Sequence, residues 1–176
     1  PLASKISVAL PNNQITDTAF ATEPLKRSIT ILDLLTFRSG AGYNDSVDHK
    51  GQSKLANLWA ENDIYDGSGS LEDRVNKLMK LPFFEQPGER WRYGWSTDIL
   101  ARVIEVASQK SFSEFLEEKI FVPLGMDDTN FLSQENRAGE IAEVYSRNGA
   151  FNLTLVENPR SNPSDWTPGS SGLAVS

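Results

Sequence analysis

The feature that most limits how this chain can fold is a run of amphipathic helical segments placed end to end. Ile99, Leu100, Val103, Ile104 and Ala107 recur with a 3.6-residue period, which makes one side of a helix apolar. Ser96 stands where it can cap that helix. Ser111 and Glu114 then fit an S-x-x-E capping box, with Phe112, Phe115, Leu116 and Ile120 as the buried side of the next helix. Pro123 and Gly125 are its stop signals. Strands do not alternate with these helices, so a parallel βαβ sheet is not indicated.

Upstream, the same signals recur more briefly. Thr30 and Asp33 have capping-box spacing with Asp in place of Glu. Leu34 and Leu35 give that helix an apolar side, and Ser39-Gly40 ends it. Residues 51–63 read as a short helix presenting Leu55, Leu58 and Trp59. Ser70 caps a further helix with Leu71, Val75, Leu78 and Met79 on one stripe, closed by Pro82. Beyond Ile141 the period changes to two. Asn148-Gly149 separates two runs, with Phe151, Leu153 and Leu155 alternating, the pattern of a β-hairpin with a type I′ turn. The expected class is mainly α: a loop-rich segment over 1–27, a helical domain over 28–139, a hairpin over 140–158 and a closing loop over 159–176.

Charge and composition remove several functions. The 176 residues carry a formal net charge of -7, which disfavours binding a phosphate backbone through a broad basic surface. With no cysteine there is no disulfide framework, thiolate zinc site or cysteine nucleophile. No apolar run reaches the roughly 18 residues that span a bilayer. His49 is a lone histidine in a polar loop and reads as surface. Glu117-Glu118 and Asp127-Asp128 diverge on a helix and read as solvated pairs. No metal or cofactor site is visible, and the compartment stays open between periplasmic or secreted and cytoplasmic. Both ends read as cut from something longer.

The stretch "QPGERWRYGWSTDIL", residues 86–100, is the one concentration of chemistry. Extended over 90–95, it would turn Trp91, Tyr93 and Trp95 one way and Arg90 and Arg92 the other. The plain role of such a cluster is packing. The functional one centres on Tyr93 beside a helix N-terminus. A phenol titrates near pH 10 and works as a base only where a cation or hydrogen bonds stabilise the phenolate. With Arg90 and Arg92 facing away, that cation must come from elsewhere.

Several segments together resemble the serine β-lactamase-related family, which includes class C β-lactamases, penicillin-binding-protein-like enzymes and esterase relatives. They are "ITILDLLTFRSGAG" (29–42), the block from Leu81 to Phe131 containing Pro87-Gly88-Glu89, Tyr93 and Pro123-Leu124-Gly125-Met126, and more loosely "PLASKISVALP" and "GSSGLAVS". The resemblance implies an acyl-enzyme mechanism in which a Ser and Lys of an S-x-x-K motif work with the Tyr of Y-x-N and a K-T-G strand. Tyr93 matches that Tyr. Trp95 replaces the usual Asn, as in esterase and peptidase relatives, and Phe37 replaces a usual His, a position taken as structural. No serine here has a lysine three residues later, and no K-T-G follows.

The expectation is therefore the helical subdomain of a serine hydrolase acting on an ester, a D-peptide or a β-lactam. Tyr93 is its catalytic residue, and Trp91, Trp95 and Ser96 shape the substrate cleft. Its partner is an absent α/β domain of the same protein, and the chain alone is expected to be inactive. Two alternatives are a non-catalytic helical interaction module derived from that family and a stand-alone hydrolase using Ser96 or Ser171 as nucleophile.

Overall fold

The computed structural model describes residues 7–9, 22–43, 58, 61–62, 69–131, 144–148, 152–156 and 173–174. The elements in chain order are strands β1 (Ser7–Ala9) and β2 (Thr22–Pro24), helices α1 (Ile31–Leu35), α2 (Leu71–Leu78), α3 (Ser96–Ser108) and α4 (Phe112–Leu116), a π-helical turn (Glu117–Phe121), helix α5 (Val122–Leu124), and strands β3 (Asn130–Phe131), β4 (Val144–Asn148), β5 (Asn152–Val156) and β6 (Leu173–Ala174). The strands form three antiparallel pairs, β1–β2, β3–β6 and β4–β5. The 1–27 segment, expected to hold one short element, thus contributes two paired strands, and the closing 159–176 segment contributes one. Runs of two or three residues are too short to show a period of two. His49, Ser170, Ser171, Gly149 and most of the expected 51–63 helix lie outside the described residues. Leu58, within that stretch, is helical and packs on the core.

The core is a single cluster. Leu71, Val75 and Leu78 of α2 meet Ile99 and Ala101 of α3, together with Leu34, Phe83, Trp95, Phe112 and Phe131. Phe83 and Leu78 are the largest fully buried apolar side chains. Capping fixes where each helix begins. Thr30, Ser70 and Ser111 each accept a hydrogen bond from the backbone N–H three residues on, and Asp33, Asp73 and Glu114 bond back to the cap.

Ser96 does not cap α3. It is the first residue inside the helix, Trp95 is the N-cap, and no side-chain cap bond is present there. The buried side of α3 is Ser96, Asp98, Ile99 and Ala101, whereas Val103 and Ala107 are exposed. Leu100 and Ile104 are half-buried against the core. The apolar period continues past the point where the helix still has a neighbour to cover it. After α4 the widened π turn carries the buried position from Ile120, which is exposed, to Phe121. Pro123 cannot donate to the carbonyl of Lys119, so the turn loosens there. The chain stops only at Gly125, with φ 65°.

The β4–β5 hairpin pairs Asn148 with Asn152, so three residues, 149–151, separate the strands. A two-residue Asn148-Gly149 turn would have paired Arg147 with Ala150. Arg147 faces Leu153 instead.

Asp33 is the buried polar hub at the start of α1, only 6% exposed. Its carboxylate takes a bidentate contact from Arg27, with Nη1 to Oδ2 at 2.6 Å and Nη2 to Oδ1 at 2.7 Å. It also accepts from the Thr30 backbone N–H and hydroxyl. These bonds, Arg27 foremost, hold the carboxyl far below the usual carboxylate range, against the opposing effect of burial. A carboxyl whose pKa is lowered on folding contributes stability that is complete above its unfolded pKa of about 4 and is lost as pH falls. Asp33→Asn should lower stability at neutral pH by about 2 kcal/mol. Between about pH 5 and about pH 2 the variant should then lose less stability than the parent in urea melts. Equal losses would show that Asp33 is not an acid-labile contact.

Candidate active site

Two loops build the site, residues 37–43 after α1 and residues 84–95 before α3. Their backbones are laced together. Phe84 N–H donates to Gly40 O at 3.0 Å, Gly88 to Arg38 O at 2.8 Å, Arg92 to Phe37 O at 2.8 Å, Tyr43 to Tyr93 O at 3.3 Å and Trp95 to Ala41 O at 3.1 Å. This approach needs glycine. A Cβ at Gly40, whose φ is 85°, would strike the Glu85 carbonyl. A Cβ at Gly94 would lie 2.5 Å from Gly42 Cα and closer still to the Ala41 carbonyl.

The outer end of the 84–95 loop is pinned as well. The Gln86 amide donates to Glu23 Oε1 at 2.7 Å and Pro24 O at 3.1 Å, and its oxygen accepts from Lys26 N–H at 2.9 Å. The buried glutamine therefore joins β2 to the Pro87-Gly88 turn. Arg27, held by Asp33, lies over Gly88.

Tyr93 sits on this frame with its side chain 54% exposed, and Trp91 is 64% exposed. The phenol is open to solvent and not walled into the interior. Its ring stacks with Phe37 at 5.2 Å between centroids and 30° between planes. Trp91 lies at 6.4 Å and 20°, and Tyr43 meets it edge-on at 5.3 Å. Arg92 points away, as alternation predicts. Its Nε donates to Glu85 Oε2 at 2.7 Å, Nη2 lies 2.5 Å from Oε1, and the guanidinium covers the Phe84 ring at 4.7 Å. Its charge is thus spent on Glu85 and is not the cation that a phenolate would need.

Trp95 does not share the face of Trp91 and Tyr93. The chain bends at Gly94 and turns into α3, so strand alternation ends there and Trp95, 3% exposed, enters the core. Ser96 is 0% exposed, and its hydroxyl meets that of Ser39 at 2.9 Å. The Ser39 oxygen also accepts from Ala41 N–H at 3.2 Å. Trp95 and Ser96 therefore stand behind the site and brace it. A nucleophile must be reachable by its substrate, and Ser96 is not. Sequence reasoning read Phe37 as a structural position and Ser39 as part of a helix end, saw neither as a partner of this loop, and missed Tyr43. The run Ser39-Gly40-Ala41-Gly42 was the available signal, because closely spaced small residues mark a close backbone approach. Among the described residues no cluster of His, Asp and Glu could hold a metal ion.

The family described as Beta-lactamase matches residues 2–175. Lovastatin esterase from Penicillium rubens is 30% identical over 157 residues, which are 87% of this chain and 32% of that protein. Esterase EstB from Burkholderia gladioli is 31% identical over 117 residues, 66% of this chain and 29% of that one. The chain thus spans about a third of the length of these curated relatives. Among solved structures, a mutant of simvastatin synthase from Aspergillus terreus superposes with a TM-score of 0.74 at 20% identity, over 98% of this chain and 38% of that one. A penicillin-binding protein from Bacillus halodurans gives 0.59 at 24% identity, over 84% and 44%. At such identities the likeness is one of fold.

The glycine contacts are directly testable. Gly94→Ala should cost about 1–3 kcal/mol in urea denaturation, because the new methyl meets backbone that cannot swing aside. Gly125→Ala, at φ 65° with nothing near its Cβ position, reports left-handed backbone strain without any close contact. A Gly94→Ala protein as stable as the parent would mean the two loops are not closed against each other.

Proposed function

The chain belongs to the β-lactamase family, and from that premise we propose that it is the helical subdomain of a serine hydrolase, with Tyr93 as the group that moves the nucleophile's proton. The observation that carries this reading is the mounting of Tyr93: a solvent-open phenol on a loop whose backbone is fixed on both sides. A proton carrier must be reachable and hold its geometry. The other tyrosine at this site, Tyr43, is half-buried against Trp95.

The serine and the lysine of the acylating motif come from polypeptide outside this chain. The lysine supplies the positive charge that Arg92, engaged by Glu85, does not. The serine oxygen bonds to the ester carbonyl carbon, Tyr93 passes the serine proton to the alcohol oxygen as its bond to that carbon breaks, and water later releases the acid from the serine. Trp91 presents apolar surface beside the phenol for the substrate, and Trp95 and Ser96 keep the loop in place from behind. Two relatives at about 30% identity are named as esterases, which favours a carboxylic ester over a β-lactam or a D-peptide. The partner is an α/β domain of the same polypeptide. Ile31, Leu32 and Leu35 of α1 are exposed apolar residues that such a domain would cover.

In the protein that carries this chain with its flanking polypeptide, Tyr93→Phe should lower kcat/KM for p-nitrophenyl acetate by about 100-fold or more. The isolated 176-residue chain should release p-nitrophenol no faster than buffer. Full activity in the Tyr93→Phe enzyme would overturn the assignment. Turnover by the isolated chain that disappears with Tyr93→Phe would overturn the requirement for a serine and lysine from outside.

A further inference from the structure

Phe37 occupies a position that backbone chemistry reserves for another residue. Helix α1 ends in a complete Schellman motif: Arg38 N–H donates to Asp33 O at 2.6 Å, and Phe37 N–H to Leu34 O at 3.2 Å. The residue at the turning point takes the left-handed conformation, where glycine is the usual choice and asparagine the usual substitute. Here it is phenylalanine, with φ 53°. The other described non-glycine residue with positive φ, Gln109, closes α3 and is exposed. Phe37 is different. Its ring reaches across to the second loop, stacks on Tyr93 at 5.2 Å and lies 6.2 Å from Trp91. Its carbonyl accepts the Arg92 N–H at 2.8 Å, one residue before Tyr93.

We propose that Phe37 is a positioning residue for Tyr93, retained in a conformation unfavourable to it because its ring fixes the plane of the phenol. This rests on the reading of Tyr93 as the proton carrier. A half-exposed tyrosine on a loop would otherwise sample several rotamers, and a hydroxyl that wanders cannot keep the distance that proton transfer requires. Stacking on one ring and edge contact from Tyr43 leave the phenol one orientation, while its solvent-facing side stays open. Strained backbone gathers where the surrounding structure enforces it for function. The ring of Phe37 is what that conformation delivers.

The discriminating variant is Phe37→Gly, because it suits the backbone and removes only the ring. If Phe37 merely ends a helix, this variant is as stable as the parent or more so, and the phenol is undisturbed. If Phe37 positions Tyr93, stability is kept but the phenol is released. The first readout is the isolated chain with 13C-labelled tyrosine, the Tyr93 signals being identified by their loss in Tyr93→Phe. The three-bond couplings that report the Tyr93 χ1 rotamer should change from single-rotamer to averaged values in Phe37→Gly and return in Phe37→Tyr. Single-rotamer couplings for Tyr93 in a folded Phe37→Gly chain would overturn the proposal. Should Phe37→Gly fail to fold, Phe37→Leu gives the same test with bulk retained.

The second readout is the enzyme with its flanking polypeptide. There Phe37→Gly should lower kcat for p-nitrophenyl acetate at least tenfold, leave KM within about twofold, and be rescued by Phe37→Tyr. A normal kcat in Phe37→Gly beside an inactive Tyr93→Phe would overturn the role of Phe37 alone. A normal kcat in Tyr93→Phe would overturn the role of Tyr93 itself, and with it the catalytic purpose of the stack.

Discussion

Backbone packed directly on backbone, between residues 37–43 and 84–95, is the constraint from which the site follows. Side chains between two loops act as compliant spacers, since they change rotamer and tolerate small shifts. Gly40, Gly42 and Gly94 remove the spacers, so carbonyls and Cα atoms meet and hydrogen bonds close across the gap. The direction in which Tyr93 leaves the main chain is then set by main-chain geometry on both sides. A methyl group added at Gly94 has no flexible neighbour to displace, and one added at Gly88, where φ is 86°, would meet the Arg27 guanidinium that Asp33 holds.

Magnitudes indicate which contacts matter for that rigidity. The exposed Lys26–Glu89 pair is screened by solvent and contributes little. Removing the side chain of a core residue such as Phe83 or Leu78 costs about 2–5 kcal/mol, and Phe83 begins the loop that carries Tyr93. The buried carboxylate of Asp33 and the buried amide of Gln86 lie between these limits. Each has several hydrogen-bond partners, and each joins the segment before α1 either to α1 itself or to the Pro87-Gly88 turn. Shape and buried polar bonds therefore hold the site, and surface charge adds little.

What could be read from the sequence follows the range of the interaction. The caps at Thr30, Ser70 and Ser111 belong to four-residue patterns, and each is legible as a helix start. Ser96 offered the same local signal, but its hydroxyl found Ser39, 57 residues away, and no local pattern reveals that choice. Alternation placed Trp91 and Tyr93 together and Arg92 opposite, then failed at Trp95, because the bend at Gly94 ends the extended segment. The hairpin pattern marked both strands, while Asn148-Gly149 implied a shorter turn than the register allows. Neither periodicity nor composition could assign a role to Tyr93. The role proposed for it comes from resemblance to a family motif spread over the block from Pro87 to Thr129, where order and spacing matter more than any single residue.

The charge arrangement around Tyr93 bears on how the labour is divided between this chain and the rest of the protein. An unpaired cation beside a phenol stabilises the phenolate. In this chain Arg92 is turned outward and neutralised by Glu85 within the same loop. The aromatic rings around Tyr93 supply fixed geometry and no positive charge. In the proposed reading, this chain fixes the direction of the phenol and the flanking polypeptide supplies the cation. In that reading, a lysine from a separate segment supplies the charge that lets Tyr93 act as a base.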